Sequence, residues 1–470
     1  MDFRTESLTS LADLVRDGAV SAREMVSHAL DQIAALDPAL NAFVVVDAER
    51  ALAEAARLDE RQARGEEVGA LAGIPFAVKD LEDVAGLATT NGSLVVTGPE
   101  RAQADSELVA RLKLAGAIVV GKTNTPEHGW TAQTFNPRFG TTRNPWDRDR
   151  TPGGSSGGSA AAIAAGMVPL ATGSDGGGSL RIPSALCGLA GFKPSPGRVP
   201  SGGERPPGWP QLSTKGTMAW RVSDLAASLD VVLGPDPTDL RSLPTPEGSW
   251  RHAVDDPGVP IRLVWSPTLG YATVDREVLE LCRTAVDVLA DLGAEVIEHD
   301  VVFDEDPVTP WIKLVGGYLQ RTFAGVRHTE AWEQVTPGLR EQVEGSEGLT
   351  VVDFVRALDA AHLLNLRLVD LFGPSRMLVT PTVAGQTPFC GEPGTIDGDD
   401  ALNWVGFTYP FNMTGSPAGT VCVGLTRAGL PVGLQMIGPQ HGDTAVLRAM
   451  AALEHAIGFD ERPETRAGRD

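Results

Sequence analysis

The chain of 470 residues is poor in cysteine and in basic charge, and it has no long apolar run. Its four cysteines, Cys187, Cys282, Cys390 and Cys422, are far apart and form no CxxC pair, which excludes a disulfide framework and points to free, buried thiols in a reducing compartment. Lys and Arg total 39 against 61 Asp and Glu, a formal net charge of -22. Such a surface repels phosphate backbones, and the densest basic cluster is only Arg148-Asp149-Arg150, so neither a nucleic-acid partner nor an anionic membrane is expected. The eight histidines stand isolated, with no HExxH or paired His/Cys spacing, so no metal and no cofactor is implied. The longest stretch of small and apolar residues, Ser159 to Thr172, is broken by Gly166 and Pro169 and falls short of the ~18 residues of a membrane span; it reads as a buried core helix. The N-terminus carries acids early and no cleavage-site pattern, so a cytoplasmic location is expected. No repeat of ~20 to 50 residues appears, which excludes a solenoid.

What is abundant is glycine and proline, 53 and 34 residues. With 42% hydrophobic and 21% charged residues and no glycine period of three, that excess belongs to a packed globular protein rather than to collagen or disorder. Leu8, Leu11, Leu14 and Val15 recur at helical spacing, and Ser21 with Glu24 forms a capping-box pattern, so the region from 1 to about 65 reads as helical. After Asp105, SELVARLKLAG is a helical pattern ending in glycine and feeding the β-rich AIVVG. The same syntax returns in VLELCRTAVDVLADLG followed by AEVIEHD, and a strand is expected at IRLVWS. The architecture is therefore α/β, a sheet covered by helices, read as one domain over 1–470. Ordered loops are expected from 132 to 150 and from 193 to 216, with another irregular stretch between Pro235 and Pro246.

Three motifs compete for the chemistry. Gly116-Ala-Ile-Val-Val-Gly-Lys-Thr123 satisfies the phosphate-loop pattern, but its four middle residues are apolar or β-branched and follow a helix, where a phosphate loop needs a strand before it. Gly153-Gly154-Ser155-Ser156-Gly157, with Gly158, fits a nucleophile elbow in two frames, yet RDRTPGG cannot be the central strand the elbow requires. The third reading joins Ser155 and Ser156 to Ser179, which closes the run Asp175-Gly176-Gly177-Gly178. Successive glycine amides can turn toward one point and form an oxyanion hole beside the serine that ends the run. Lys79 closes the apolar run GIPFAVK; a lysine desolvated at a strand end can lose its proton near neutral pH and act as a base, although most lysines are simply solvated.

These segments, GGSSGGSAAAIAAG, GSDGGGSLRIPSALCGLAGFKPS, LAGIPFAVKD and GKTNTPE, closely resemble the amidase signature family, and the likeness extends to GLPVGLQMIG near the C-terminus. The resemblance implies a mixed central sheet with helices on both faces and a Ser-cisSer-Lys triad. In this chain it implies Ser179 as nucleophile, Ser155 on a cis peptide as the bridging serine, and Lys79 as base. The amides of Gly176, Gly177, Gly178 and Ser179 would hold the oxyanion, and Ser156, Asp175 and Arg181 would brace the loops. Gly176 stands where many members carry a larger residue, which is expected to widen or loosen that loop. By the same resemblance the substrate lies near Gly129, Trp130 and Thr131 and near Asn403 to Pro410, where Trp404, Phe407 and Tyr409 offer aromatic surface. The implied activity is hydrolysis of amides, anilides or carbamates by a monomer or homodimer. The alternatives are the A subunit of a tRNA-dependent glutamine amidotransferase, a non-catalytic binding protein on the same fold, and an α/β-hydrolase esterase using His441 or His455.

Overall fold

The computed structural model describes residues 1–95, 100–203, 206–259, 262–373 and 376–464. One mixed sheet of eleven strands runs through it. In chain order the strands are β1 (Phe43–Val46), β2 (Pro75–Lys79), β3 (Ile118–Thr123), β4 (Leu170–Asp175), β5 (Ala190–Lys193), β6 (Thr214–Ala219), β7 (Arg262–Trp265), β8 (Glu295–Glu298), β9 (Arg376–Pro381), β10 (Ala418–Leu425) and β11 (Pro431–Ile437). Across the sheet they lie in the order β1-β3-β2-β4-β6-β5-β10-β11-β9-β7-β8. β3, β2 and β4 are mutually parallel, the centre from β4 to β9 is antiparallel, and β9, β7 and β8 are parallel again. Every residue of β2, β3 and β11 is buried, so helices cover these strands on both faces, as near-continuous apolar strands require.

The local signals act as expected. Ser21 caps the helix Ala22–Leu40 in a reciprocal capping box with Glu24. SELVARLKLAG folds as the helix Glu107–Leu114, and Gly116, at φ +95°, turns it into β3. The Gly-Lys-Thr of the phosphate-loop pattern thus lies within a strand, where Lys122 reaches Asp80 at 2.6 Å. The second helix-to-strand unit is Arg276–Asp291 followed by β8. Of IRLVWS, β7 takes Arg262–Trp265, and Ile261 lies outside the described residues.

The stretch Ser159 to Thr172 is not one helix. Gly157–Ala164 is helical and wholly buried, Gly166 at φ +78° ends it, and the remainder enters β4. The loop from 132 to 150 carries a two-stranded ladder of Phe135–Asn136 with Gly140–Thr141, and 235–246 holds no helix or strand. In the loop from 193 to 216, the ends belong to β5 and β6, and residues 204 and 205 lie outside the described part. All four thiols are free; Cys187, Cys282 and Cys422 are buried and Cys390, contrary to expectation, is partly exposed. Among the described residues no helix is long and apolar enough to cross a membrane.

Candidate active site

The parallel strands β3, β2 and β4 deliver their C-terminal ends to one edge of the sheet, the edge where open α/β sheets gather ligands. β2 ends at Lys79 and β4 at Asp175. The two serine segments arrive there at helix starts, Ser155 and Ser156 before Gly157–Ala164, and Ser179 before Arg181–Cys187.

Lys79 is fully buried. Its backbone N–H donates to Thr172 Oγ1 at 3.0 Å, which seats the strand end. Its Nζ donates to Ser155 Oγ at 2.7 Å, Ser156 Oγ at 2.9 Å and Ser174 Oγ at 3.1 Å. Three neutral hydroxyls solvate the amine without a paired carboxylate, so burial dominates and pushes the Lys79 ammonium down to about 7, against a weaker upward pull from Glu82 and Asp175. The Gly154–Ser155 peptide is cis, and Thr125 Oγ1 donates to the Ser155 carbonyl at 2.9 Å.

Ser155 and Ser179 border the same cavity, of about 440 Å³, together with Ser174, Gly176 and Gly129. The glycine loop between β4 and Ser179 is fastened from behind. Asp175 and Arg181, both fully buried, pair at 2.9 Å through two contacts, and the guanidinium holds the Asp175 carboxyl down at about 2 despite its burial. Arg181 also donates to the Thr408 carbonyl, Gln435 Oε1 and Asn412 Oδ1 at 2.7 to 2.9 Å. Asp175 Oδ1 accepts the N–H of Gly178 at 2.7 Å. The Gly178 amide, grouped with its neighbours from the sequence, is therefore committed to Asp175, whereas among the described residues the N–H groups of Gly176, Gly177 and Ser179 have no protein partner.

The space beside Gly176 is filled rather than open. A Cβ at Gly176 would lie 2.7 Å from Trp209 Cε3, and one at Gly177 would lie 2.6 Å from Trp311 Cζ2. Two indoles occupy the space the missing side chains leave, which is why small residues are needed at positions whose φ is unremarkable. Trp311 also donates its indole N–H to the Gly176 carbonyl at 3.2 Å.

The aromatic surface proposed for substrate divides. Gly129 borders the cavity, close enough to Ser155 that a Cβ there would meet its Oγ at 3.1 Å. Trp130 and Thr131 are half-buried and do not border it; the Trp130 ring packs against Gly338 and edge-on to Phe135. Trp404 and Phe407 are core residues. Trp404 packs on Ile182, Leu186 and Val383, and Phe407, fully buried, packs with Phe411 and Leu378, because the 403–410 segment turns its rings inward against the sheet. Tyr409 is buried and stacks on Trp311 with ring centroids 5.3 Å apart. The aromatic group that does border the cavity is Trp209, with His128 and Leu319. His128 adopts the left-handed conformation at φ +53° and sets its ring edge-on to Phe323, 5.0 Å away. His455 is exposed, and neither it nor His441 borders the cavity.

A buried strand-end lysine is bonded to one serine, and a second serine at the end of a braced glycine loop borders the same cavity. Residues 24–447 match the Amidase family model: the chain belongs to the amidase signature family of amide hydrolases. An acylamidase of Rhodococcus erythropolis is 37% identical over 95% of this chain and 94% of its own length. The glutamyl-tRNA(Gln) amidotransferase A subunit of Salinispora arenicola is 35% identical over 97% and 98%. Among solved structures, a bacterial aryl acylamidase of the same family superposes with a TM-score of 0.92 at 29% identity, covering 99% of both chains. A 6-aminohexanoate cyclic dimer hydrolase in complex with its substrate gives 0.89 at 29% identity, over 99% of this chain and all of the other.

Proposed function

We propose that this amidase is a stand-alone hydrolase of small amides, anilides or carbamates, working through an acyl-enzyme on Ser179. The observation that carries the reading is the Lys79 Nζ to Ser155 Oγ contact of 2.7 Å, made by a fully buried amine on a serine that shares its cavity with Ser179. In the neutral form Lys79 accepts the Ser155 proton while Ser155 accepts that of Ser179, and the Ser179 oxygen attacks the substrate carbonyl. The N–H groups of Gly176, Gly177 and Ser179 supply the oxyanion donors. The relay then returns the proton to the leaving amine, and water repeats the sequence to release the acid. Ser156 and Ser174 keep Nζ aimed by accepting from it.

A small cavity suits a small substrate, and Trp209 supplies an apolar wall for an aryl or alkyl group. The second reading, an amidotransferase A subunit, draws on the relative of that name. The structural likeness favours the stand-alone enzyme: the solved A subunit from Thermotoga maritima gives a TM-score of 0.79, below that of the aryl acylamidase. The purified chain alone should release aniline from an acyl anilide, and Ser179→Ala should abolish it. Turnover retained in Ser179→Ala would overturn the nucleophile, and glutamine-dependent ammonia transfer appearing only with added partner subunits would favour the second reading.

A further inference from the structure

We propose that Trp311 is a positioning residue for the amide hydrolysis, aiming the Gly177 N–H at the developing oxyanion. This rests on the oxyanion reading given under Proposed function. Three consecutive carbonyls of the loop are each held by a side-chain donor from the distant C-terminal half. Asn412 Nδ2 donates to the Asp175 carbonyl at 2.8 Å, Trp311 Nε1 to the Gly176 carbonyl at 3.2 Å, and Thr408 Oγ1 to the Gly177 carbonyl at 2.6 Å. In a planar trans peptide the C=O of one residue and the N–H of the next point in opposite directions. Holding the carbonyls of Asp175, Gly176 and Gly177 therefore aims the amides of Gly176, Gly177 and Gly178.

One of the three gives an internal check. The Gly178 amide, opposite the carbonyl held by Thr408, lands on Asp175 Oδ1 at 2.7 Å. The Gly177 amide, opposite the carbonyl held by Trp311, has no protein partner among the described residues, and Gly176 and Ser179 on either side of the loop border the cavity. Glycine at 177 has conformational freedom that a bulkier residue would not have, so its peptide plane needs an external hold.

Trp311 is built to give that hold. It sits on the first turn of the helix Val308–Phe323, and its indole is stacked on Tyr409. The Tyr409 hydroxyl donates to Asp306, and the same carboxylate oxygen accepts the N–H of Val308 at 2.9 Å at the start of the helix that carries Trp311. Asp306 thus fixes both the ring under the indole and the base of its helix.

The test separates the indole N–H from its bulk. Trp311→Phe removes the donor and part of the packing; replacing Trp311 with 3-benzothienylalanine removes the N–H while preserving the shape. With an acyl anilide, both variants should lose about tenfold to a hundredfold in kcat, less than the full loss of an oxyanion donor, with KM within about twofold of wild type. A trifluoromethyl ketone that forms a hemiketal anion on the nucleophile should weaken by the same factor as kcat/KM. If the phenylalanine variant fails to fold, the isostere alone carries the test. An isostere with wild-type kcat, or one whose loss lies in KM, overturns the inference. If Ser179→Ala is inactive in the same assay, such a result removes only the role of Trp311; if Ser179→Ala is active, the oxyanion reading itself falls.

Discussion

The sharpest prediction concerns protons. Lys79 titrates at about 7 because it is buried among hydroxyls. A lysine at its ordinary value of about 10.4 would be neutral in only about one molecule in 2,500 at pH 7. At about 7, half of the molecules carry the free base. A base active in its neutral form gives a rate that falls as the pH drops, so kcat/KM should be flat above about pH 8 and decline about tenfold per unit below pH 6. The informative perturbation is Glu82→Gln. The Glu82 carboxylate pulls the Lys79 value upward and is itself paired with Lys215 at 2.8 Å. Neutralising Glu82 removes that pull and frees the Lys215 ammonium, and both changes lower the Lys79 value. The acid limb should move to lower pH, and activity at pH 6 should rise relative to the plateau. Two other groups need controls. Lys193 is also pushed down to about 7, by burial and then by Arg181, and burial lowers His128. Lys193→Met and His128→Gln should each leave the midpoint where it was. A pH profile of anilide hydrolysis for the four proteins decides it: a limb that ignores Glu82→Gln but shifts with His128 or Lys193 refutes the assignment to Lys79.

Removing one partner of the buried Asp175–Arg181 pair, as in Arg181→Met, should destabilise the fold by about 3 to 5 kcal/mol in urea titration, since an uncompensated carboxylate stays inside; a loss under about 1 kcal/mol would contradict it. Phe407→Ala should cost about 3 to 5 kcal/mol of stability while leaving KM for aryl substrates unchanged, because the ring is core; a KM change without a stability change would return it to the pocket. Gly177→Ala must push its new Cβ against Trp311 Cζ2 at 2.6 Å, so about 1 to 3 kcal/mol of stability and most of kcat should be lost together in urea titration and anilide assay; wild-type stability and rate in that variant would contradict it.

Much of the fold and part of the site were legible because they rest on local chemistry. The Ser21–Glu24 box, the glycine that ends Glu107–Leu114 and the apolar run that buries Lys79 act over a few residues, and each has a physical signature in the string itself. The lysine and the serines were gathered through the family motifs, and the structure sets Ser155 beside Lys79 and Ser179 on the same cavity. What was missed is non-local. Trp404 and Phe407 have the same residue type whether they line a pocket or fill a core, and only the turn of the 403–410 segment decides between them. The reason for glycine at 176 and 177 is two indoles drawn from residues 209 and 311, which no window around the loop contains. Nor could spacing reveal that Asp175 takes the Gly178 amide while those of Gly176, Gly177 and Ser179 have no partner among the described residues. A tryptophan on the first turn of a helix, ahead of the small pair Gly316-Gly317, was the available hint of Trp311.

The fastening of the glycine loop also sets the order in which the protein can become competent. Lys79, Ser155 and Ser179 all leave the ribosome early, but the loop between β4 and Ser179 is held by Trp311, Thr408, Asn412 and, through Arg181, by Gln435 on β11. A nascent chain therefore carries the proposed triad for some 250 residues of synthesis before its scaffold is complete. The sheet's own order enforces this delay, since β10 and β11 insert between β5 and β9 only at the end. An interrupted product ending before β10 would hold the proposed catalytic serines without the full set of side chains that fasten the loop beside them.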